Sequence, residues 1–253
     1  MEIRENVVKR RLKDGEVVTI VEGYHSAEIV DFLGPLGFDG VWVENEHGHL
    51  SLYEIQNITR SCDLWGMTSL IRVNKADYGL IYRTLDQGAQ GVIVPHVNTE
   101  AEATEVVRAS RYAPEGERGM YNSRQANGID PVDYFNAAND ETLVVVMIED
   151  IVAVENLPEL LAVQGVDVFF VAHGDLSASM GLTGQVEHPD VKSMVKRAIT
   201  QITDAGRTAG GLSTTENVRY MVDLGASFLM TGWPSWVSEG ASRYLEAVEE
   251  ATR

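Results

Sequence analysis

Leu143-Val144-Val145-Val146-Met147-Ile148-Glu149-Asp150 is the stretch that decides how this chain folds. It is apolar and rich in β-branched residues until it stops on two carboxylates, the pattern of a strand buried on both faces of a parallel sheet that surfaces at its carboxyl end. The pattern returns in Val166-Asp167-Val168-Phe169-Phe170-Val171-Ala172-His173-Gly174-Asp175, with a helical stretch over 152–164 between the two. A strand, a helix and a second parallel strand make a βαβ unit. Glu149 and Asp175 are therefore expected at the ends of adjacent strands, where two acids can share one cation.

The same alternation extends in both directions. Toward the N-terminus the pattern gives a helix over 4–13, a strand over 17–21, a helix over 26–36, and a strand at Val41-Trp42-Val43. A helix over 51–62 follows, opened by Ser51 with Glu54 at capping-box spacing, then a strand over 69–73, a helix over 77–87, a strand over 91–95 and a helix over 99–110. Periodicity is lost over 112–128, a long loop of a length that is usually functional or disordered, before a helix over 130–139. Beyond Asp175 come a short helical turn, a helix over 190–205, a strand over 208–212, a helix over 214–224, a strand over 228–230 and a last helix over 235–252. Eight βα units predict a single α/β domain over 1–253, a (β/α)8 TIM barrel with an extra N-terminal helix.

Composition narrows the partners. With 253 residues and a net charge of −18, from 20 basic and 38 acidic side chains, the chain lacks the basic face that nucleic acid or an anionic membrane requires. The run Lys9-Arg10-Arg11-Lys13 reads as a solvated helix face. Cys62 is the single cysteine, which excludes an internal disulfide and a thiolate cluster. No apolar run approaches the ~18–20 residues of a membrane span, and the first six residues lack the apolar core of a signal peptide, so a cytoplasmic location is expected.

A barrel gathers its chemistry at the carboxyl ends of its strands. His25, His47, His49, His96 and His173, five of the six histidines, fall there, together with Glu44, Glu46, Arg72, Glu149 and Asp175. Glu149 and Asp175 form a hard, oxygen-rich pair suited to Mg2+ or Mn2+ held partly by water and substrate; the plain alternative is a salt bridge to Arg72 with no metal. Arg72, permanently charged, offers a counter-charge to a carboxylate or an enolate oxygen. Glu44, three residues before His47, is expected to orient that imidazole as a general acid–base. Trp233 and Trp236, flanking Pro234, read as packing or subunit-interface anchors. Arg118 and Arg124 on the 112–128 loop read as solvated or as contacts for an anionic substrate tail. Two further readings stay open: a barrel that binds a metal or anion without catalysis, and a transition-metal site built from the rim histidines.

Gly37-Phe38-Asp39, Glu46-His47, Arg72, Leu85-Asp86-Gln87-Gly88-Ala89-Gln90, Arg111-Tyr112-Ala113-Pro114-Glu115-Gly116-Glu117-Arg118-Gly119, Ile148-Glu149, Asn156-Leu157, Gly165-Val166-Asp167, Asp175-Leu176-Ser177-Ala178 and Gly181 together resemble the HpcH/HpaI aldolase family, over about residues 30–232. The resemblance implies a class II pyruvate aldolase, in which a divalent metal (Mg2+ or Mn2+, with Co2+ also used) is held at the positions of Glu149 and Asp175. It implies further that Arg72 stabilises an enolate, that His47 exchanges a proton with the aldehyde-derived hydroxyl, and that the backbone amides of Gly174 and Asp175 hold the substrate carboxylate. The implied partners are a 2-oxo acid and an aldehyde, and the implied assembly is a homohexamer, a trimer of dimers with helices exchanged between barrels. Ala172-His173-Gly174 stands where the family usually reads Gly-Pro-Ala or Gly-Pro-Ser, Met147 where it has glutamine, Glu44 where it has aspartate, and Pro95-His96 where an apolar residue follows the proline. His173, Met147 and His96 are thus expected to reshape the substrate pocket. Decarboxylation of an oxaloacetate-like acid is the alternative reaction for the same site.

Overall fold

A short helix, α1 (Val7–Lys13), precedes β1 (Val18–Gly23), and strands then alternate with helices around a closed ring. In order these are α2 (Ala27–Leu33), β2 (Gly40–Glu44), α3 (Leu52–Trp65), β3 (Thr68–Arg72), α4 (Tyr78–Asp86), β4 (Gly91–Val94), α5 (Glu100–Ser110), α6 (Pro131–Glu141) and β5 (Leu143–Ile148). They continue as α7 (Ile151–Glu155), α8 (Leu157–Ala162), β6 (Val168–Val171), α9 (His173–Ser179), α10 (Pro189–Asp204), β7 (Ala209–Leu212), α11 (Val218–Asp223), β8 (Phe228–Gly232) and α12 (Trp233–Thr252). The computed structural model describes residues 2–121 and 123–253. Each strand pairs in parallel with the next, and β8 pairs with β1, so the expected TIM barrel forms.

Strand alternation sorts side chains into two cores. Those pointing inward, among them Val18, Ile20, Trp42, Leu70, Ile93, Val145, Met147, Phe170 and Phe228, pack into one buried cluster that fills the barrel. Trp42 and Phe170 meet with ring centroids 4.8 Å apart, and Phe170 meets Phe228 edge-on at 6.1 Å. Gly210 on β7 makes room for this aromatic layer, since a Cβ there would lie 2.9 Å from the Phe170 ring. The outward set, including Val21, Val43, Ile71, Val94, Val146, Ile148 and Phe169, packs against the helices. Continuing the period-2 alternation upward from the inner core brings Glu22, Glu44, Arg72 and Glu149 to the mouth of the barrel. Fold and site are thus set by the same periodicity.

The boundaries differ from the sequence pattern for local reasons. α1 starts at Val7 because Asn6 caps it, its side chain accepting from the Lys9 amide at 3.0 Å. The stretch over 152–164 is two helices meeting at Asn156, because Pro158 has no N–H to continue the first. The Ser51–Glu54 capping box forms as expected. α11 starts only at Val218, whereas α12 begins early, at Trp233, with Pro234 in its first turn. β6 ends at Val171, so Asp175 lies in the first turn of α9 and not at the strand end.

Two readings of basic residues are corrected. α1 plugs the amino-terminal end of the barrel: Val8 is buried, and Lys9 donates to the Thr142 carbonyl at 2.7 Å, so this is not a purely solvated face. The described parts of the 112–128 loop, residues 112–121 and 123–128, are anchored toward that same end by their arginines. Arg111, at its start, binds the carbonyls of Thr142 and Gly165, which precede β5 and β6, and pairs with Asp167 at 2.9 Å. Arg118 pairs with Asp86 at 2.7 Å beneath the Tyr112 ring, and Arg124 pairs with Asp63 at 2.6 Å. Both arginines are structural, neither solvated nor placed for a substrate tail.

Candidate active site

Glu149 directly follows β5 and is only 1% exposed. Its Oε1 accepts the His96 backbone N–H at 2.8 Å, while Oε2 is buried with no partner among the described residues. Burial raises this carboxyl from 4.5 to about 7, helped by the charges of Asp175 and Glu46 and opposed by His96. A buried oxygen without a donor, next to other carboxylates, is costly unless a cation faces it. Glu149 and Asp175 fit a hard divalent ion on this ground. No group of three or more histidine, cysteine, aspartate or glutamate side chains is arranged to hold a metal ion among the described residues, so the positions beyond Glu149 and Asp175 would fall to water and substrate oxygens.

Arg72 ends β3 at the same mouth and is fixed on several sides. Its Nε and Nη2 each lie 2.5 Å from Glu44 Oε2, Nη1 lies 3.0 Å from Glu46 Oε2 and 3.8 Å from Met147 Sδ, and the guanidinium sits over Trp42. Met147 thus touches Arg72 from the barrel interior. Glu44 does not orient the His47 ring as expected: its Oε1 instead accepts the backbone N–H groups of Glu46 and His47 at 2.9 and 3.0 Å. This carboxylate shapes the turn after β2 and holds Arg72. The His47 side chain is 66% exposed, its Nε2 4.0 Å from Glu46 Oε2. Glu46, not Glu44, is the acid nearest the imidazole.

His96 stands at φ +51°, the one positive-φ position among the described residues that is not glycine, and this turn aims its N–H at Glu149. Its ring is half exposed, with Nδ1 3.0 Å from Asp150 Oδ2 and Nε2 4.0 Å from Glu46 Oε1. Burial lowers its pKa, but the Asp150 hydrogen bond and the charges of Glu149, Asp150 and Glu46 outweigh it, leaving the imidazole raised.

The rim histidines therefore split. His96 and His47 border the mouth. His25 is buried in the protein, which drives its pKa down to about 4 and keeps it neutral. His49 borders a recess with Asn45, Leu52 and Asn74. His173, lowered by burial, turns into a cavity of about 470 Å³ on the flank of β6 and β7, beside Glu187, Lys192 and Tyr220. The sixth, His188, caps α10 by accepting the Asp190 N–H at 3.2 Å. Gly174 and Asp175 occupy the first turn of α9, where N–H groups have no partner within the helix, and a Cβ on Gly174 would meet nothing within 4 Å. That open space lies beside the acid pair. Glu22, Glu46 and Asp150 complete the mouth; the alternation Val18, Ile20, Glu22 is the signal that marks Glu22 as inward-facing.

Known proteins resemble this chain along nearly its whole length. It is 37% identical over 232 residues to the hydroxypyruvate/pyruvate aldolase of Roseobacter denitrificans, covering 88% of this chain and 89% of that one. It is 34% identical over 248 residues to a 4-hydroxy-2-oxo-heptane-1,7-dioate aldolase of Escherichia coli, covering 96% and 94%. The crystal structure of an HpcH/HpaI aldolase from Desulfitobacterium hafniense superposes with a TM-score of 0.90 at 27% identity over 96% of both chains. The profile of the HpcH/HpaI aldolase/citrate lyase family matches residues 23–235, and the chain belongs to that family.

Proposed function

We propose that the protein is a divalent-metal-dependent aldolase that reversibly cleaves a 4-hydroxy-2-oxo acid to pyruvate, or hydroxypyruvate, and an aldehyde. The observation that carries the reading is the buried Oε2 of Glu149, without a partner among the described residues and near enough to Asp175 to feel its charge. Glu149 and Asp175 would hold a cation such as Mg2+, Mn2+ or Co2+, which when bound would supply Lewis-acid polarisation of the 2-oxo acid. The chain's own groups do the rest. The free amides of Gly174 and Asp175 bind the substrate carboxylate. Arg72, pinned by Glu44 and Glu46, presents a fixed positive charge to the C2 oxygen as the electron pair of the breaking C3–C4 bond moves onto it. His47 takes the proton from the 4-hydroxyl, so that the departing fragment leaves as an aldehyde. Protonation at C3 then gives the 2-oxo acid. His96 holds Oε1 of Glu149 and leaves Oε2 free for the cation, while Met147 steadies Arg72 from below.

The reading includes a homo-oligomer, a hexamer built as a trimer of dimers that exchange α12. That helix has no buried residue along Trp233–Thr252, and Val237, Tyr244, Leu245 and Val248 are exposed on it. Beside its start, exposed Phe32 and Leu36 border an apolar groove with Trp233 and Trp236. A helix of this length with nothing to cover its apolar residues needs a partner. None of the described helices is long and apolar enough to cross a membrane; a cytoplasmic location belongs to the proposal.

The test is release of pyruvate from a 4-hydroxy-2-oxo acid by protein stripped with chelator and resupplied with metal. Metal-restored cleavage that Glu149→Gln abolishes supports the reading; inactivity on every such acid with metal bound counts against it. One observation favours the alternative of decarboxylating an oxaloacetate-like acid: the exposed His47 ring has no carboxylate within hydrogen-bond distance among the described residues, Glu46 lying 4.0 Å away. Decarboxylation does not use that proton transfer.

A further inference from the structure

We propose that Glu22 is a specificity residue that accepts a hydrogen bond from a hydroxyl on the aldehyde fragment of the substrate and excludes aldehydes bearing a second carboxylate. The inference rests on the aldolase reading and names the substrate class it leaves open.

Glu22 is the inward-facing residue of β1 next above Val18 and Ile20, paired in register with Trp42 on one side and Gly232 on the other. The absence of a side chain at Gly232 gives its carboxylate room, since a Cβ there would lie 3.2 Å from Glu22 Oε2. In a ring of eight strands β1 lies across the mouth from β5, which carries Glu149. A substrate whose 2-oxo acid end lies at Glu149, Asp175 and the first turn of α9 must extend across the mouth. Its C4 hydroxyl then approaches His47, which follows β2, and the rest of the aldehyde fragment arrives at β1.

Apart from Glu149 Oε2 and Asp175, which the aldolase reading gives to the cation, the other carboxylates of the mouth are engaged. Glu44 holds two backbone amides and Arg72, Glu46 pairs with Arg72, Asp150 pairs with the His96 ring, and Glu149 Oε1 takes the His96 amide. Glu22 is different. It lies near enough to Glu44 and Arg72 to feel both charges, but no hydrogen bond holds its carboxylate among the described residues. Glu22 is partly buried, and that burial, followed by the charge of Glu44, raises its pKa. Arg72, the cation whose charge acts on Glu22, already carries two carboxylates and is not free for an anionic tail. A hydroxylated, uncharged fragment satisfies Glu22; an apolar one covers it without offering a donor, and an anionic one meets a like charge.

The test compares kcat/KM for aldol addition of pyruvate to glyceraldehyde and to succinate semialdehyde with the metal-loaded protein. Wild type is expected to favour glyceraldehyde by about tenfold or more. Glu22→Ala should lower kcat/KM for glyceraldehyde about tenfold, mostly through KM, and Glu22→Gln should restore most of that while raising succinate semialdehyde about tenfold. A wild-type preference for succinate semialdehyde, or a ratio that neither variant moves, overturns the inference alone. If wild type fails even to exchange the methyl protons of pyruvate in the presence of metal, the aldolase reading falls and this inference with it.

Discussion

The backbone N–H of His96, a non-glycine residue at φ +51°, donates to Oε1 of Glu149 at 2.8 Å. One oxygen of the buried acid is thereby committed and the other left free. Histidine tolerates this backbone region better than most residues, and a β-branched side chain does not. His96→Gly, which keeps the amide and relaxes the backbone, should leave metal affinity within about threefold and stability unchanged or higher by up to about 1 kcal/mol. His96→Val should cost about 1–2 kcal/mol and weaken metal binding roughly tenfold. Thermal unfolding and metal titration by calorimetry check both.

Arg72 is held by Glu44 and Glu46, so its removal both deletes a charge and strands two carboxylates. Arg72→Ala should lower kcat about 10²–10³-fold. Arg72→Lys should rescue little of this, since an ammonium cannot reproduce the two contacts to Glu44 and the one to Glu46. Steady-state kinetics on a 4-hydroxy-2-oxo acid, with folding verified by circular dichroism, decides the matter.

His47 separates the two reactions open to the site. His47→Ala should reduce aldol cleavage about 10²–10⁴-fold while sparing decarboxylation of oxaloacetate to within about threefold. Equal loss of both activities would assign the ring a binding role.

Glu149 sets a pH dependence whose sign is fixed by its raised value of about 7. Because the folded state prefers the neutral carboxyl, stability from this group is fully present below the ordinary carboxylate pKa and is lost as pH rises through about 7. The Tm of metal-free protein should therefore fall more for wild type than for Glu149→Gln between roughly pH 5 and pH 8, by roughly 2–4 °C per kcal/mol. Addition of Mg2+ or Mn2+ should raise Tm increasingly across the same interval, as the cation displaces the proton. A wild-type profile parallel to that of Glu149→Gln would remove the assigned shift.

The exposed apolar residues of α12 predict association. Leu245→Asp combined with Val248→Asp should shift the species seen by sedimentation from hexamer toward smaller units. An unchanged wild-type monomer at micromolar concentration would contradict the exchange of helices.

Much of this was legible in the sequence because the barrel repeats one simple pattern. The apolar run ending at Glu149 announced a buried parallel strand, and strand alternation put Arg72 and Glu149 where they stand. The resemblance to the HpcH/HpaI family implied that Glu149, Asp175, Arg72 and His47 act as one set. What spacing could not show was direction. Glu44 lies three residues from His47, but a chain turning sharply after β2 brings its backbone amides to that carboxylate and leaves the imidazole outside. His173 follows β6, but α9 begins there and carries its ring to the flank of the barrel. The arginines of the 112–128 loop looked available because their partners Asp86 and Asp63 are remote in sequence. The left-handed turn at His96 had no sequence signal, since no glycine marks it.

The measurement that tests the central claim most directly is exchange of the methyl protons of pyruvate with deuterium, followed by NMR on protein stripped of metal and then resupplied with Mg2+ or Mn2+. It requires no knowledge of the aldehyde. Exchange that depends on the added metal, and is lost in Glu149→Gln and Arg72→Ala, is the predicted result. No exchange of pyruvate or hydroxypyruvate by protein shown to have bound the metal would contradict the assignment of this mouth to 2-oxo acid enolisation.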